Sequence, residues 1–459
     1  MTEWGRRRAL VAMALLSGSP ATVQTMLIPA FPQLEARLGL EPVSTAWLLT
    51  AFFVAASVSA PVLGRFGDLH GRRPLLVAGA MAFATGGVVS YLWVDHFSVL
   101  LAGRVLQGAA AGSYVLCLAT VDERFTARSR ASGVGVLAGV VGIGPVMGFV
   151  VGGVAAQLGG APAVFAVSAI AGVVATVLAW RWVPASGGDA IGRLDHGGAM
   201  LLASVLAAAL AVVALVGESG VGVVRPIGLG VLCVLLVAGL VAVERRHPHP
   251  LLAPGIVLAP VMLRVNAATI ASAGATLGLL VVVPRMVQEP LAGGVGLGLD
   301  PVRAALVLVP GAVAMLAVAP VAVRSGRVVG HAEVVKVAGI VSALGFCSLV
   351  ARADSVASIV LGSTVVSIGV GLALGCLPAL VLDHAPPGRA GEAAGTNSLS
   401  RGIGSALGVQ VTTVVLGVGS FTADAYAGAF VVGVVCSVAT TCLVRGARNR
   451  PDAPECHVT

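Results

Sequence analysis

Charge is what this chain has least of. Only 10% of its 459 residues are Asp, Glu, Lys or Arg, where a soluble domain carries about 25%. With 57% hydrophobic residues, it has too little polar surface to enclose a core in water. Soluble globular classes are therefore excluded, and a polytopic membrane protein is indicated. Lysine is almost missing, with Lys336 alone among 28 basic residues. Aromatic residues make up 4%. No aromatic platform or basic helix accompanies the net charge of +8, so no nucleic-acid partner is implied. Cysteine is present as an odd number, seven, without a CxxC pair. Cys117, Cys233, Cys347 and Cys376 lie in apolar runs and read as small packing residues, not as a disulfide framework or a metal site. His247 and His249 sit in a polar linker without further ligands at fixed spacing. No phosphate-cradling Gly-x-x-x-x-Gly-Lys string occurs, so ATP-driven pumping has no support. No nucleophile–base–acid grouping stands out. Neither an enzyme nor a cofactor is indicated.

What the chain has is long apolar runs. A span needs about 20 apolar residues. Runs of that length lie near 9–30, 43–63, 74–94, 97–119, 131–157 and 162–182. Two more lie near 197–216 and 224–243, and six follow near 265–284, 302–323, 333–351, 356–382, 391–417 and 426–444. The runs lack the period-2 alternation of barrel strands. The expectation is an all-α membrane protein of about fourteen spans, arranged six, two and six. Its divisions are 1–183, a linker with two extra helices over 184–250, 251–446, and a polar tail over 447–459. The basic N-terminus leading into an apolar run could open a cleaved signal peptide. The length of the run and the many that follow favour an uncleaved first helix.

Arginines set the orientation. With both termini in the cytoplasm, the inner ends hold Arg6, Arg7, Arg8, Arg65, Arg72, Arg73 and many more. The outer side holds Arg37, Arg225, Arg285, Arg303 and Arg352. That bias is about four to one, as the positive-inside rule requires. The acids follow no such pattern. Asp122, Glu123, Glu333, Asp383 and Glu392 sit at inner helix ends, and Glu218, Glu289, Asp300, Asp354 and Asp424 sit outside. No Asp or Glu is evidently buried at mid-membrane.

Several stretches carry candidate chemistry. Between the second and third runs stands Gly64-Arg65-Phe66-Gly67-Asp68-Leu69-His70-Gly71-Arg72-Arg73-Pro74, which reads as a short basic turn. Gly64, Gly67 and Gly71 allow tight turning. Asp68 can pair with a neighbouring Arg, and Arg72 and Arg73 can meet anionic lipid or inner carboxylates such as Asp122 and Glu123. Arg104 lies inside the fourth run, where a guanidinium costs about 2.5–3.5 kcal/mol on insertion scales. A polar cavity would repay that, with Gln107 on roughly the same face. The other reading is a structural Arg bonded to helix carbonyls. Arg401, with Asn397 one turn before it, poses the same choice between cavity lining and a tie between helices. Gly135, Gly139, Gly142, Gly144, Gly148 and Gly152 crowd the fifth run. Pro145 among them removes a backbone donor and bends the helix. Pro61 to Gly79 is echoed by Pro320 to Gly339, as in transporters built from repeated halves.

The basic stretch resembles the Gly-x-x-x-Asp-x-x-Gly-Arg-Arg loop between helices two and three of the major facilitator superfamily. Three further stretches agree. Arg104-Val105-Leu106-Gln107-Gly108 is similar to the family's Arg-bearing fourth helix. Gly144-Pro145-Val146-Met147-Gly148 is similar to the Gly-Pro signature of its exporters. Asn397 to Gly404 and the six-two-six layout resemble the 14-helix drug:proton antiporter branch. The resemblance implies two six-helix bundles plus two extra helices, rocking around a central cavity. It implies export of a small drug-like or antibiotic-like compound across the cell membrane, exchanged for protons by alternating access. Gly64, Asp68, Gly71, Arg72 and Arg73 would form the gating loop, Arg104 and Gln107 the coupling site, and Gly144, Pro145 and Gly148 the hinge. Gln24, Asn397 and Arg401 would line the substrate cavity. Substrate, protons and lipid are the implied partners, and a monomer is the default assembly. The chain departs from the branch at Val23, where many members carry a first-helix acid. Without a buried carboxylate, a neutral or anionic substrate fits better than a strongly cationic one. An importer of a small metabolite or nutrient is the alternative, and a non-transporting scaffold a weaker one.

Overall fold

The computed structural model describes residues 3–184, 196–216, 224–246, 254–290, 296–386, 389–418 and 422–445. Their regular structure is helical, as it must be where backbone polar groups meet hydrocarbon. The helices are α1 (Glu3–Met26), α2 (Phe31–Leu38), α3 (Pro42–His70), α4 (Arg72–Leu92), α5 (Phe97–Ala111), α6 (Ser113–Arg124), α7 (Ala127–Trp182), α8 (His196–Val216), α9 (Val224–Arg246), α10 (Pro254–Val257), α11 (Pro260–Gln288), α12 (Pro301–Val329), α13 (His331–Ala351), α14 (Val356–Asp383), α15 (Ala390–Val418) and α16 (Ala423–Leu443). Among the described residues, 12 helices are long and apolar enough to cross a membrane. One of these, Ser132–Trp182, breaks into two at Gly159 and Gly160, which leave helical φ/ψ. The apolar part of α8, Met200–Val212, falls short of span length. The structure thus supports twelve to thirteen apolar helices, a coarser number than fourteen. His247, His249, the 185–195 linker and the tail lie outside the described residues.

Helices α1 to α7 pack among themselves, and so do α11 to α16. These two groups are here called the N- and C-halves. They meet chiefly where α3 packs on α15 and α7 on α12. The α8–α9 hairpin lies along the α3–α15 seam, with Leu202 and Leu206 of α8 packed with Leu399, Val54 and Val58. Two helix pairs run in the same register in the two halves. Helices α3 and α12 are each 29 residues long, and α4 and α13 each 21. Pro42 corresponds to Pro301, Arg65 to Arg324, Gly67 to Gly326 and Gly71 to Gly330.

The basic stretch is not a turn over most of its length. Residues Gly64 to His70 continue α3, and Gly71 alone joins α3 to α4. Its φ of 87° and ψ of 151° lie in a region that a Cβ all but forbids. Gly330, at φ 100° and ψ 134°, makes the same one-residue corner between α12 and α13. One permissive residue suffices to reverse the chain, so the other glycines are free to remain helical. In α7 the residues around Pro145 keep helical dihedrals, and the helix breaks at Gly159 and Gly160, the latter at φ 67°. A left-handed Gly with Pro162 close behind ends one helix and starts the next.

Candidate functional site

The two halves touch at one end of the molecule and separate at the other. The end bearing the α3–α4 corner carries Arg65, Arg72 and Arg73 and is here called the basic end. Toward the far end, the Thr50 hydroxyl of α3 lies 3.2 Å from Gln410 Oε1 of α15, donating to it. A methyl placed on Gly153 of α7 would stand 2.9 Å from the Pro301 carbonyl oxygen of α12, and one on Gly142 3.2 Å from Leu316 Cδ2. Two turns nearer the basic end, on the same face as Gly142, Gly135 meets nothing within 4 Å, and neither does neighbouring Gly139. On α15, Gly402 packs against Ser57 of α3, while Gly395, two turns nearer the basic end, again meets nothing within 4 Å. Two seams thus close toward the far end and open toward the basic end.

Arg401 lies just inside the opening. It is exposed, on the side of α15 between the face packed on α11 (Gly404, Gly408) and the face packed on α3 (Gly402). Tyr114 of the N-half is close enough to act on the Arg401 charge. Asn397, one turn away, turns elsewhere. It is buried and donates to Asn266 Oδ1 at 3.3 Å and Thr269 Oγ1 at 2.8 Å on α11. The two residues do not share one surface here, and Asn397 makes the tie between helices. Gln24 on α1 is half-buried.

Arg104 and Gln107 are brought together but face no open cavity in this conformation. Their exposures are 1% and 0%. The Arg104 guanidinium donates to the Leu48 carbonyl at 3.0 Å, the Val23 carbonyl at 3.4 Å and Gln107 Oε1 at 3.0 Å. It also stands 4.7 Å from the Phe52 ring centroid, a cation–π distance. Gln107 in turn donates to Ser168 Oγ at 3.0 Å. Small residues make room for this network: a side chain on Gly108 would collide with the Phe52 backbone, and one on Gly103 with Ser90. The guanidinium is thus held on backbone and amide oxygens, with Nη2 unpartnered.

At the basic end, Arg72 donates to the Ala119 carbonyl at 2.8 Å and pairs with Glu123 at 2.7 Å. Arg73 donates to the Trp180 carbonyl at 2.6 Å. Asp122 pairs with Arg130 at 3.0 Å. The Asp68 side chain lies outside the described residues. Gly144 and Gly148 let α7 lie against α1, where a methyl on Gly144 would stand 2.6 Å from Ala21 Cβ and one on Gly148 would overlap the Thr22 carbonyl. The Thr25 hydroxyl donates to the Pro145 carbonyl at 2.8 Å.

Sequence reasoning left out a cluster at the far end. Glu35 of α2 and Arg285 of α11, 250 residues apart, form a two-point ion pair at 2.8 and 2.6 Å. Both side chains are 11% exposed. The Tyr426 hydroxyl of α16 donates to Glu289 Oε1 at 3.4 Å, and both act on Arg285. A signal existed in Arg285, a cation set directly after the apolar run Leu279 to Pro284. Nearby, Arg37 pairs with Asp95 at 2.5 and 3.1 Å, and these hydrogen bonds hold the Asp95 carboxyl below the usual carboxylate range.

The two halves thus share matched helices, meet toward the far end and part toward the basic end. The family model described as Major Facilitator Superfamily matches residues 13–409. The chain belongs to the major facilitator superfamily. Among curated relatives it is 35% identical over 150 residues to an uncharacterized MFS-type transporter of Mycobacterium tuberculosis (strain ATCC 25618 / H37Rv), covering 32% of this chain and 22% of that one. It is 28% identical over 155 residues to the efflux pump dotC of Dothistroma septosporum (strain NZE10 / CBS 128990), covering 32% and 26%. It is 26% identical over 175 residues to the riboflavin transporter RibZ of Clostridioides difficile (strain 630), covering 38% and 37%. The matches thus span well under half of these relatives' own lengths. Among solved structures, an auto-inhibited peptide transporter of the POT family is similar in fold, with TM-score 0.64, 17% identity, and coverage of 96% of this chain and 98% of that one. The human organic anion transporter MFSD10 (TETRAN) gives TM-score 0.59 and 17% identity, covering 94% and 99%.

Proposed function

We propose that this protein is a secondary exporter in the cell membrane, moving a small drug-like or antibiotic-like compound out of the cytoplasm in exchange for protons. The basic end is taken as cytoplasmic, from the arginine bias. The observation that carries the reading is the opening of both seams toward that end with Arg401 exposed inside it, the state in which an exporter loads. An uncompensated cation there favours a neutral or anionic compound over a cationic one. In this reading the divisions 1–183, 184–250, 251–446 and 447–459 hold, with α8 counted as a crossing and the molecule a monomer. Gly71, Arg72 and Arg73, with Gly64 and Asp68, gate the cytoplasmic end. Arg104 and Gln107 form the coupling site, and Gly144, Pro145 and Gly148 form the hinge, where α7 lies against α1. Efflux-pump relatives such as dotC support the direction.

The test is transport in proteoliposomes with and without an imposed pH gradient, beside a drug-susceptibility panel on cells making the protein. Resistance that disappears on Arg401→Gln or Asp68→Asn, with gradient-driven uptake into inverted vesicles, supports export. Growth rescue on one nutrient with no resistance gives the second reading, an importer, which the RibZ relative keeps in play.

A further inference from the structure

Among the described residues no acid lies in the middle of a span, so the control of opening is sought at the ends of the halves. The far-end cluster supplies it. Glu35 joins the N-half to Arg285 of the C-half through two charge-assisted hydrogen bonds in a site almost closed to solvent. Four residues on, just past the end of α11, Glu289 also acts on Arg285, as does Tyr426. Three elements thus converge on one guanidinium, and two carboxylates compete for it. Only one of these carboxylates ties the halves together.

We propose that the Glu35–Arg285 pair is the lock of the outer end: when Glu35 is neutralised, Arg285 passes to Glu289 on its own half and the halves part. The hand-over matters physically. Breaking a nearly buried ion pair by removing one partner strands the other charge, which is costly. Here Glu289 acts on Arg285 from its own half, so neutralising Glu35 leaves no orphan cation. Glu35 faces Arg285 of α11, and Glu289 just past the end of α11 and Tyr426 of α16 act on the same guanidinium. On its own side Arg37 is engaged by Asp95, and Glu41 at the start of α3 is exposed. The neighbouring stretch of α7, near Ala156 where Gln33 docks, carries no charged residue.

The proposal rests on the exporter reading for its proton gradient, but the lock is testable alone. Hydrogen–deuterium exchange of the full chain in nanodiscs, at one fixed pH, reports opening at the two ends. Glu35→Gln is expected to raise exchange about tenfold at the far ends of α7, α11 and α12, and to lower it at the basic end. Wild-type protein shifted to acid pH, after correction for intrinsic exchange, should follow the same pattern, and Glu289→Gln should abolish that response. The charge-swapped pair Glu35→Arg with Arg285→Glu should restore wild-type exchange at neutral pH, which separates loss of the lock from misfolding. Unchanged far-end exchange in Glu35→Gln, or an acid response that survives it, overturns the proposal. If the lock opens as stated but proteoliposomes show no proton-driven transport, the exporter reading fails and the lock stands.

Discussion

Helices α3 and α4 of the N-half and α12 and α13 of the C-half are equal in length, in register and turned by one glycine each. Their interiors differ. The N-half buries Arg104 on the Leu48 and Val23 carbonyls and on Gln107. The C-half buries neutral groups, Asn397 with Asn266 and Thr269, and leaves Arg401 exposed. The same residue type in two apolar runs is therefore enclosed in one half and exposed in the other. A shared backbone plan fixes where helices go. It does not fix which of them presents a charge to water, because that depends on which neighbours close over each face.

The largest expected effect breaks the contrast between closed and open positions on α7. Gly148→Val places a side chain against the Thr22 carbonyl, and backbone cannot retreat cheaply. Overpacking of this kind costs about 1–3 kcal/mol or more, read as a lower melting temperature in detergent. Gly139→Val, two to three turns away in open space, should shift it little. The next effect sharpens the contrast between the guanidiniums. Arg104→Met strips hydrogen bonds from three buried oxygens and should cost about 1–3 kcal/mol. Arg401→Met should stay within about 0.5 kcal/mol of wild type in stability, while the susceptibility panel registers lost resistance. If the two variants destabilise equally, the division between the halves is wrong.

A third pair tests the shared plan. Gly71→Ala and Gly330→Ala both force a Cβ into a region open chiefly to glycine, at about 1–3 kcal/mol each, and the two losses should match within error. The smallest effect concerns the Arg37–Asp95 pair at the far end. The folded-state pKa of Asp95 is depressed by Arg37. Its contribution is present above the unfolded Asp pKa of about 3.9 and disappears as pH falls through the lower folded value. Melting curves of wild type and Asp95→Asn should therefore differ slightly at neutral pH and converge under acid conditions.

Much of the fold was legible because a bilayer asks for long apolar helices and little else. The runs near 131–157 and 162–182 bracket the break at Gly159 and Gly160, and the echo between Pro61 to Gly79 and Pro320 to Gly339 anticipated the matched corners. The link from Arg72 to the inner carboxylates was also within reach of sequence, since Glu123 is the partner it found. The helical state of Gly64 to His70 was not legible. Glycine permits both turn and helix, and the close approach of Gly67 to Leu116 of α6 is a tertiary contact that local composition does not reveal. The Glu35–Arg285 pair was invisible for a different reason: its members are 250 residues apart, and each alone looks like a solvated outer charge.

The amino-acid sequence alone determined that this chain lives in lipid and that its arginines gather in particular loops, because transfer free energy and the positive-inside bias act on local composition. Only the tertiary structure decided which arginine is enclosed, which acid joins the halves and which end stands open. Those outcomes depend on the approach of helices distant along the chain, where a methyl more or less at positions such as Gly148 or Gly402 sets whether two surfaces can meet.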